Sequence, residues 1–268
     1  MARSIPALKL KMNPLACVLA QVRISPVLQM EEFIPAIQEQ LRRTEYPKFS
    51  REETEELILG PGTQPKVLSS TRWIFTNKEN TAAVILAQNF IALQVSRYAS
   101  FEGFLGALKA ALEIVGKAAD ISLCERLGLR YVNVIRPKDA PISDYLQPGL
   151  VGLPASELGI KRLQYRFESA GMTEFGKLVT RLSVSDNGKY LPPDLDGSGL
   201  DYGPKPEKGE TIILLENDHF SIKQRDYKTD DIIASMEDLH EYTDRAFRAA
   251  VTKEALRVWG EAPEEAIR

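Results

Sequence analysis

The sequence predicts an α+β fold, an antiparallel sheet with long amphipathic helices packed on one face. Short segments of alternating polarity follow one another as meanders, and each meander gives way to a single stretch of helical period. The helices must bury their apolar stripes against the sheet, so the sheet's other face should be polar or a binding surface. The chain has 268 residues, 44% hydrophobic and 26% charged. That is ordinary globular composition, long enough to bury a core without a metal or disulfide.

In Cys17–Ser25, Val18, Ala20, Val22 and Ile24 alternate with Leu19, Gln21, Arg23 and Ser25, the period of a half-buried strand. Met30, Phe33, Ile34, Ile37 and Leu41 follow at helical spacing, with the helix proper starting at Pro35, where proline suits a first turn. Thr44–Ser70 is acidic and contains Gly60-Pro61-Gly62; it reads as an exposed excursion with at most a helical turn. Thr71–Phe75, Ala82–Gln88 and Ile91–Tyr98 form a meander, the first two joined by the polar turn Asn77–Asn80. Ser100 caps a helix whose stripe is Phe101, Phe104, Leu105, Leu108, Leu112 and Val115. Leu127–Ile135 returns as a strand.

Arg136–Gly159 is broken by prolines and glycines and reads as a linker or irregular cover. Arg162–Glu168 and Lys177–Ser185 are strands, the first turning Leu163, Tyr165 and Phe167 inward. Leu191–Gly209 is a long surface loop, and Thr211–Glu216 with His219–Arg225 make a hairpin across Asn217-Asp218. A last helix, Asp230–Ala250, carries Ile233, Met236, Leu239, Thr243, Phe247 and Ala250 on one side. Each half therefore reads as three strands followed by a helix, a ββ-β-α pseudo-repeat. The N-terminal half is 1–135, the linker or cover 136–160 and the C-terminal half 161–268, with one shared core or two.

Reaction chemistry finds little to use. His219 and His240 are the two histidines, and any Ser–His or Cys–His pair must draw on them. His219 lies beside the expected hairpin turn, where exposure is the common fate. His240, Glu241 and Asp244 lack the second histidine of a zinc helix, so His240 reads as a half-buried helix residue. Ser156 lacks the glycine frame of a nucleophile elbow. The run Asp194–Asp201 resembles a calcium loop but puts Lys205 where the bidentate glutamate belongs. Gly60–Lys66 lacks the Gly-Lys-Ser/Thr ending of a phosphate loop, and its prolines remove N–H donors. Cys17 and Cys124 read as buried, reduced thiols. No catalytic residue, metal or cofactor is expected. The sequence holds no run of about 18 apolar residues, so a soluble cytoplasmic protein without a membrane partner is expected. A net charge of −3 argues against nucleic acid.

What remains is a distribution of arginines. Arg97–Lys138 holds seven basic and four acidic residues, whereas Glu31–Leu59 holds eight acidic and four basic, a polarity that can orient a charged partner. The candidate ligand or partner residues are Arg23, Glu125, Arg126, Arg130, Arg162 and Arg166. Strand alternation puts Arg162 with Arg166 on one face, and Arg126 with Arg130 on one face opposite Glu125. Gly128, between the latter two arginines, either leaves a gap for an approaching backbone or ligand or lies under a packed aromatic.

The stretch Glu125-Arg126-Leu127-Gly128-Leu129-Arg130-Tyr131-Val132-Asn133 resembles a sporadically distributed family of uncharacterised bacterial proteins of similar length. Asn13-Pro14-Leu15 near the start, and Leu239-His240, Phe247, Thr252 and Trp259-Gly260 near the end, extend the resemblance over nearly the whole chain. Glu216-Asn217-Asp218 departs from the Asp-x-Asp-like pairing expected there, which speaks against a metal at that place. The resemblance implies a common architecture and no particular activity; the family's patchy distribution implies a part in toxin neutralisation or defence. The expected function is a non-enzymatic protein-interaction or regulatory module, its partner another protein or a second copy of itself. The alternative is a binder of, or enzyme acting on, a small anionic or nucleotide ligand. It requires Arg23, Arg126 and Arg130 to converge without carboxylate partners.

Overall fold

The computed structural model describes residue 8 and residues 10–58, 66–138, 140–154, 157–160 and 164–260. Its middle strand is the first one predicted. Leu15–Ile24 (β1) pairs antiparallel with Phe90–Val95 (β5) on one side and Leu123–Ile135 (β6) on the other. Val18, Ala20, Val22 and Ile24 are buried under the helices, while Cys17, Leu19, Gln21 and Arg23 alternate onto the far face. The remaining strands are Lys48–Ile58 (β2), Lys66–Thr76 (β3), Ala82–Ala87 (β4), Tyr165–Met172 (β7), Lys177–Ser185 (β8), Ile212–Ser221 (β9) and Arg225–Asp226 (β10). They form one antiparallel sheet in the order β2-β3-β4-β5-β1-β6-β9-β8-β7, with β10 added to β6. The fold is α+β, and strands of the two sequence halves meet at the β6–β9 and β6–β10 pairs.

Helices Met30–Arg43 (α1), Phe101–Ala119 (α2), Thr229–Ala250 (α3) and Lys253–Val258 (α4) accompany it, the first three packing against strands on one face. In α2 the Ser100 hydroxyl accepts the Gly103 N–H at 3.1 Å, and Phe104, Leu105, Leu108, Leu112 and Val115 are buried. Five such side chains at about 2 kcal/mol each outweigh the cost of Gly103, Gly106 and Gly116, about 1 kcal/mol apiece in a helix. Gly116 also makes room for the Tyr227 ring, whose hydroxyl donates to the Leu112 carbonyl at 2.8 Å. Ile232, Met236 and Leu239 of α3 join the core formed with β1 and α2, while Phe247 and Ala250 join a second cluster with Leu182, Val184, Ile213 and Leu215. Ile232, rather than the predicted Ile233, is the fully buried residue of that first turn. No helix among the described residues is long and apolar enough to cross a membrane.

Several local readings are corrected. Helix α1 starts at Met30, not Pro35; the proline forfeits one hydrogen bond to Glu31, and burial of Met30, Ile34, Ile37 and Leu41 offsets that loss. The acidic excursion of residues 44–70 is mostly sheet, since β2 pairs with β3 from Lys48↔Thr76 to Ile58↔Lys66. Its charges sit on an edge strand, where they discourage further pairing, and Phe49 anchors it on Phe75 at 5.3 Å between ring centres. The Gly60-Pro61-Gly62 motif lies outside the described residues, as do Ser156, Arg162 and Leu163. Asn217-Asp218 is no turn but the middle of β9, which is paired on both sides by β6 and β8. Phe167 is 37% exposed on the outermost strand, whereas Tyr165 does turn inward to donate to the Leu150 carbonyl at 2.9 Å. The loop after β8 is not purely superficial: Pro193–Ser198 forms a 3-10 turn whose Leu195 is buried against Cys17, Val132 and Leu214. Leu200 lies on Ile74, Ile85 and Ala92. This loop roofs part of the sheet's far face.

Candidate functional site

The far face carries Arg23, Arg72, Arg126, Arg130, Arg166 and Arg181. The register sets Leu19, Arg130, Asp218 and Val179 in one row across β1, β6, β9 and β8, and Gln21, Gly128, Phe220 and Lys177 in the next. Arg126 and Arg130 therefore share this face with Gly128. Glu125 does not follow the expected alternation: it falls at the register shift between Arg23↔Arg126 and Ile24↔Cys124, and accepts from the Ser25 hydroxyl at 2.9 Å.

The predicted ligand arginines have different fates. Arg130 is nearly buried and fully engaged: its Nε donates to Glu216 at 2.9 Å, a second nitrogen also meets Glu216, and a third donates to Asp194 at 2.6 Å. Two carboxylates thus claim its charge, and Asp194 is thereby tied down at the head of the roofing turn. Arg126 fills the space above Gly128, with its guanidinium 4.3 Å over the Phe220 ring and donating to Gln21 Oε1 at 3.2 Å. Neither an open gap nor an aromatic cover is found at Gly128: the nearest side-chain atoms are those of the Arg126 guanidinium, 3.5–3.7 Å from where a Cβ would stand. Burial lowers the pKa of Arg126 and raises that of Asp218, the latter against the pull of Arg126, Arg130 and Arg181. Arg166 stands on β7, four inter-strand spacings from β1, roughly 19 Å at about 4.8 Å each, and does not converge with Arg23.

A cleft of about 540 Å³ opens between the roofing turn and the floor of β1, β5, β4 and β3. Arg23, Gln21, Gln88 and Asn89 line one part of it, Arg72, Ser70 and Thr71 another, and Ile85, Phe90, Ala92 and Leu195 supply apolar surface. Arg23 is exposed and has no carboxylate within ion-pair distance among the described residues. Arg72, absent from the predicted set, has its guanidinium 6.0 Å from the Phe90 ring centre, and its Nε is buried without a hydrogen-bond partner. An arginine on the strand Thr71–Phe75 was visible in the sequence. Its place in the cleft depends on β3 lying three strands from β1, which no local pattern encodes. Two cations facing one partly apolar cleft suit a ligand with anionic groups and an apolar body.

Nucleophiles and bases are placed elsewhere. Burial pushes the thiols of Cys17 and Cys124 up to about 12 and about 11, so neither is a thiolate at neutral pH. No group of three His, Cys, Asp or Glu side chains is placed to hold a metal among the described residues. His240 is half-buried as expected, stacked on Phe101 at 3.8 Å, with Nδ1 hydrogen-bonded to the Tyr131 hydroxyl at 2.9 Å. His219, expected at the surface, is fully buried on the helix side. Its Nδ1 donates to the Leu239 carbonyl at 3.1 Å, and Nε2 faces the Thr173 hydroxyl at 2.8 Å.

Burial holds both histidines below the usual value of 6.5, against hydrogen bonding to Leu239 for His219 and the charge of Asp244 for His240. The unfolded chain then takes up protons near pH 6.5 that the folded chain refuses. Stability is therefore complete above pH 6.5 and falls as the pH drops toward the lower folded-state values. Urea midpoints measured between pH 8 and pH 5 should fall only in the acid part of that range, with a smaller fall in His219→Gln. An unchanged acid slope in that variant removes His219 from the account.

No protein-family model matches this sequence, and no curated protein matches it either.

Proposed function

We propose that this protein is a non-enzymatic binding module that takes a small anionic ligand, of nucleotide size, in the cleft between the sheet and the 193–198 turn. The observation that carries this reading is the contrast between neighbouring arginines. Arg130 is neutralised by Glu216 and Asp194, whereas Arg23 and Arg72 face the cleft without a carboxylate partner among the described residues. A buried guanidinium nitrogen without a partner is costly in the empty protein, and an anion supplies the missing acceptor. Phe90 and Leu195 offer apolar contact for the body of the ligand, and Gln21 and Gln88 offer amide groups for its polar edges. Asp194, the one acid lining the cleft among the described residues, is already bound to Arg130, which leaves no free acid–base pair among them and supports binding rather than turnover. A regulatory role follows naturally, because the ligand would touch both the sheet and the turn that Arg130 pins.

Isothermal titration with pyrophosphate and adenosine monophosphate tests the reading. At least one probe should bind the wild type, and Arg72→Ala and Arg23→Ala should each weaken it by about tenfold or more, as loss of a charge-assisted hydrogen bond does. Equal binding by the wild type and the double variant, or binding of neither probe by the wild type, defeats it.

A further inference from the structure

We propose that the chain forms a twofold homodimer by antiparallel pairing of β7 with β7 of a second copy, with Phe167 on the dyad. Strand β7 closes one end of the sheet and pairs only with β8 among the described residues. Seven of its eight residues are exposed, including Phe167 at 37% and Met172 at 79%. The opposite edge is protected by composition: β2 reads Lys-Phe-Ser-Arg-Glu-Glu-Thr-Glu-Glu-Leu-Ile, and its four glutamates repel a second copy of themselves. Strand β7, Tyr-Arg-Phe-Glu-Ser-Ala-Gly-Met, carries one cation and one anion and lacks that guard.

Symmetry then selects the register. A dyad perpendicular to the sheet keeps each face continuous, so directly opposed residues must share a face and the axis must pass through a residue position. An axis at Arg166 opposes two arginines, and one at Glu168 opposes two glutamates. An axis at Ser169 sets Arg166 against Met172. An axis at Phe167 opposes Arg166 to Glu168 of the second copy twice over, and Phe167 to Phe167 on the helix side. Arg166 has no carboxylate partner among the described residues. Glu168 already accepts from Arg181 at 2.8 Å, and Arg181 lies 3.9 Å from Asp218. The dimer would extend that row of alternating charge across the dyad, Asp218–Arg181–Glu168 followed by Arg166 of the second copy. The cleft lies on distant strands, so this inference stands apart from the ligand reading.

Sedimentation velocity over a concentration series tests it. The wild type should sediment as a dimer at tens of micromolar. Arg166→Glu and Glu168→Arg should each raise the dissociation constant by about tenfold or more, since symmetry counts each repulsive pair twice. Combining the two substitutions restores opposite charges and should restore the dimer. Independently, Phe167→Cys should form an intermolecular disulfide under mild oxidation, with little background because Cys17 and Cys124 are buried. A monomeric wild type, a dimer indifferent to either reversal, or a double variant that stays as weak as the singles overturns the proposal.

Discussion

Gly176→Ala is expected to destabilise the protein by about 3 kcal/mol or more, through a clash that the fold has no soft way to relieve. Gly176 stands between β7 and β8 with φ outside the left-handed region, so the constraint is one of space and not of φ. A Cβ there would overlap the Phe220 carbonyl oxygen, lie 2.7 Å from its carbon and 3.1 Å from Ser221 Cα. All of these are backbone atoms of β9, which is paired on both sides. Relief would have to open the β8–β9 pairing next to Lys177↔Phe220 and disturb Thr173, whose hydroxyl accepts the Gly176 N–H at 3.0 Å and meets His219 at 2.8 Å. Gly171→Ala, on the same hairpin, is the control: nothing stands within 4 Å of its added carbon, and its effect should stay within about 0.5 kcal/mol. Urea denaturation of the two variants decides the matter. Equal midpoints would show that β9 yields locally and that the contact carries little weight.

Removing Arg130 should be nearly as damaging, for an electrostatic reason. Glu216 is buried, with its side chain only 10% exposed, and Arg130 is its ion-pair partner. Arg130→Ala leaves that carboxylate in a poor dielectric without its counter-charge, a loss of about 3–5 kcal/mol for a broken buried pair. Replacing both members, Arg130→Met with Glu216→Leu, removes the stranded charge and should recover most of the loss. A double-mutant cycle separates these outcomes, since simple additivity means that the pair does not act as one unit. Arg130→Ala should also release Asp194 and with it the 193–198 turn, so ligand affinity in the cleft should drop together with stability. Asp194→Asn, at an exposed carboxylate, should affect the cleft far more than the global midpoint.

The elements legible in the sequence were those whose burial follows a local period. Strand β1, helix α2 and helix α3 each show one apolar face to one environment, so alternation or a 3.6-residue stripe reports them directly. The polar turn at Asn77–Asn80 and the cap at Ser100 were readable for the same local reason. Strand β2 was not, because an edge strand is selected for charge and its apolar contact reduces to Phe49 on Phe75. Strand β9 reads from the sequence as two strands because Asn217 and His219 look like turn chemistry when their partners are out of view. Those partners are the Thr180 hydroxyl, Thr173 and a carbonyl of α3, all brought in from distant segments.

The same division runs through the candidate site. Spacing alone determined that Arg126, Gly128 and Arg130 share a face, since a strand alternates by covalent geometry. Which arginine is neutralised and which is free was decided by the order of strands in the sheet and the path of the 191–209 loop. That order brings Glu216 and Asp194 to Arg130, lays Phe220 under Arg126 and places Arg72 across a cleft from Arg23. Local sequence sets which side of a strand a charge occupies, whereas the energy of that charge depends on neighbours that only long-range pairing supplies.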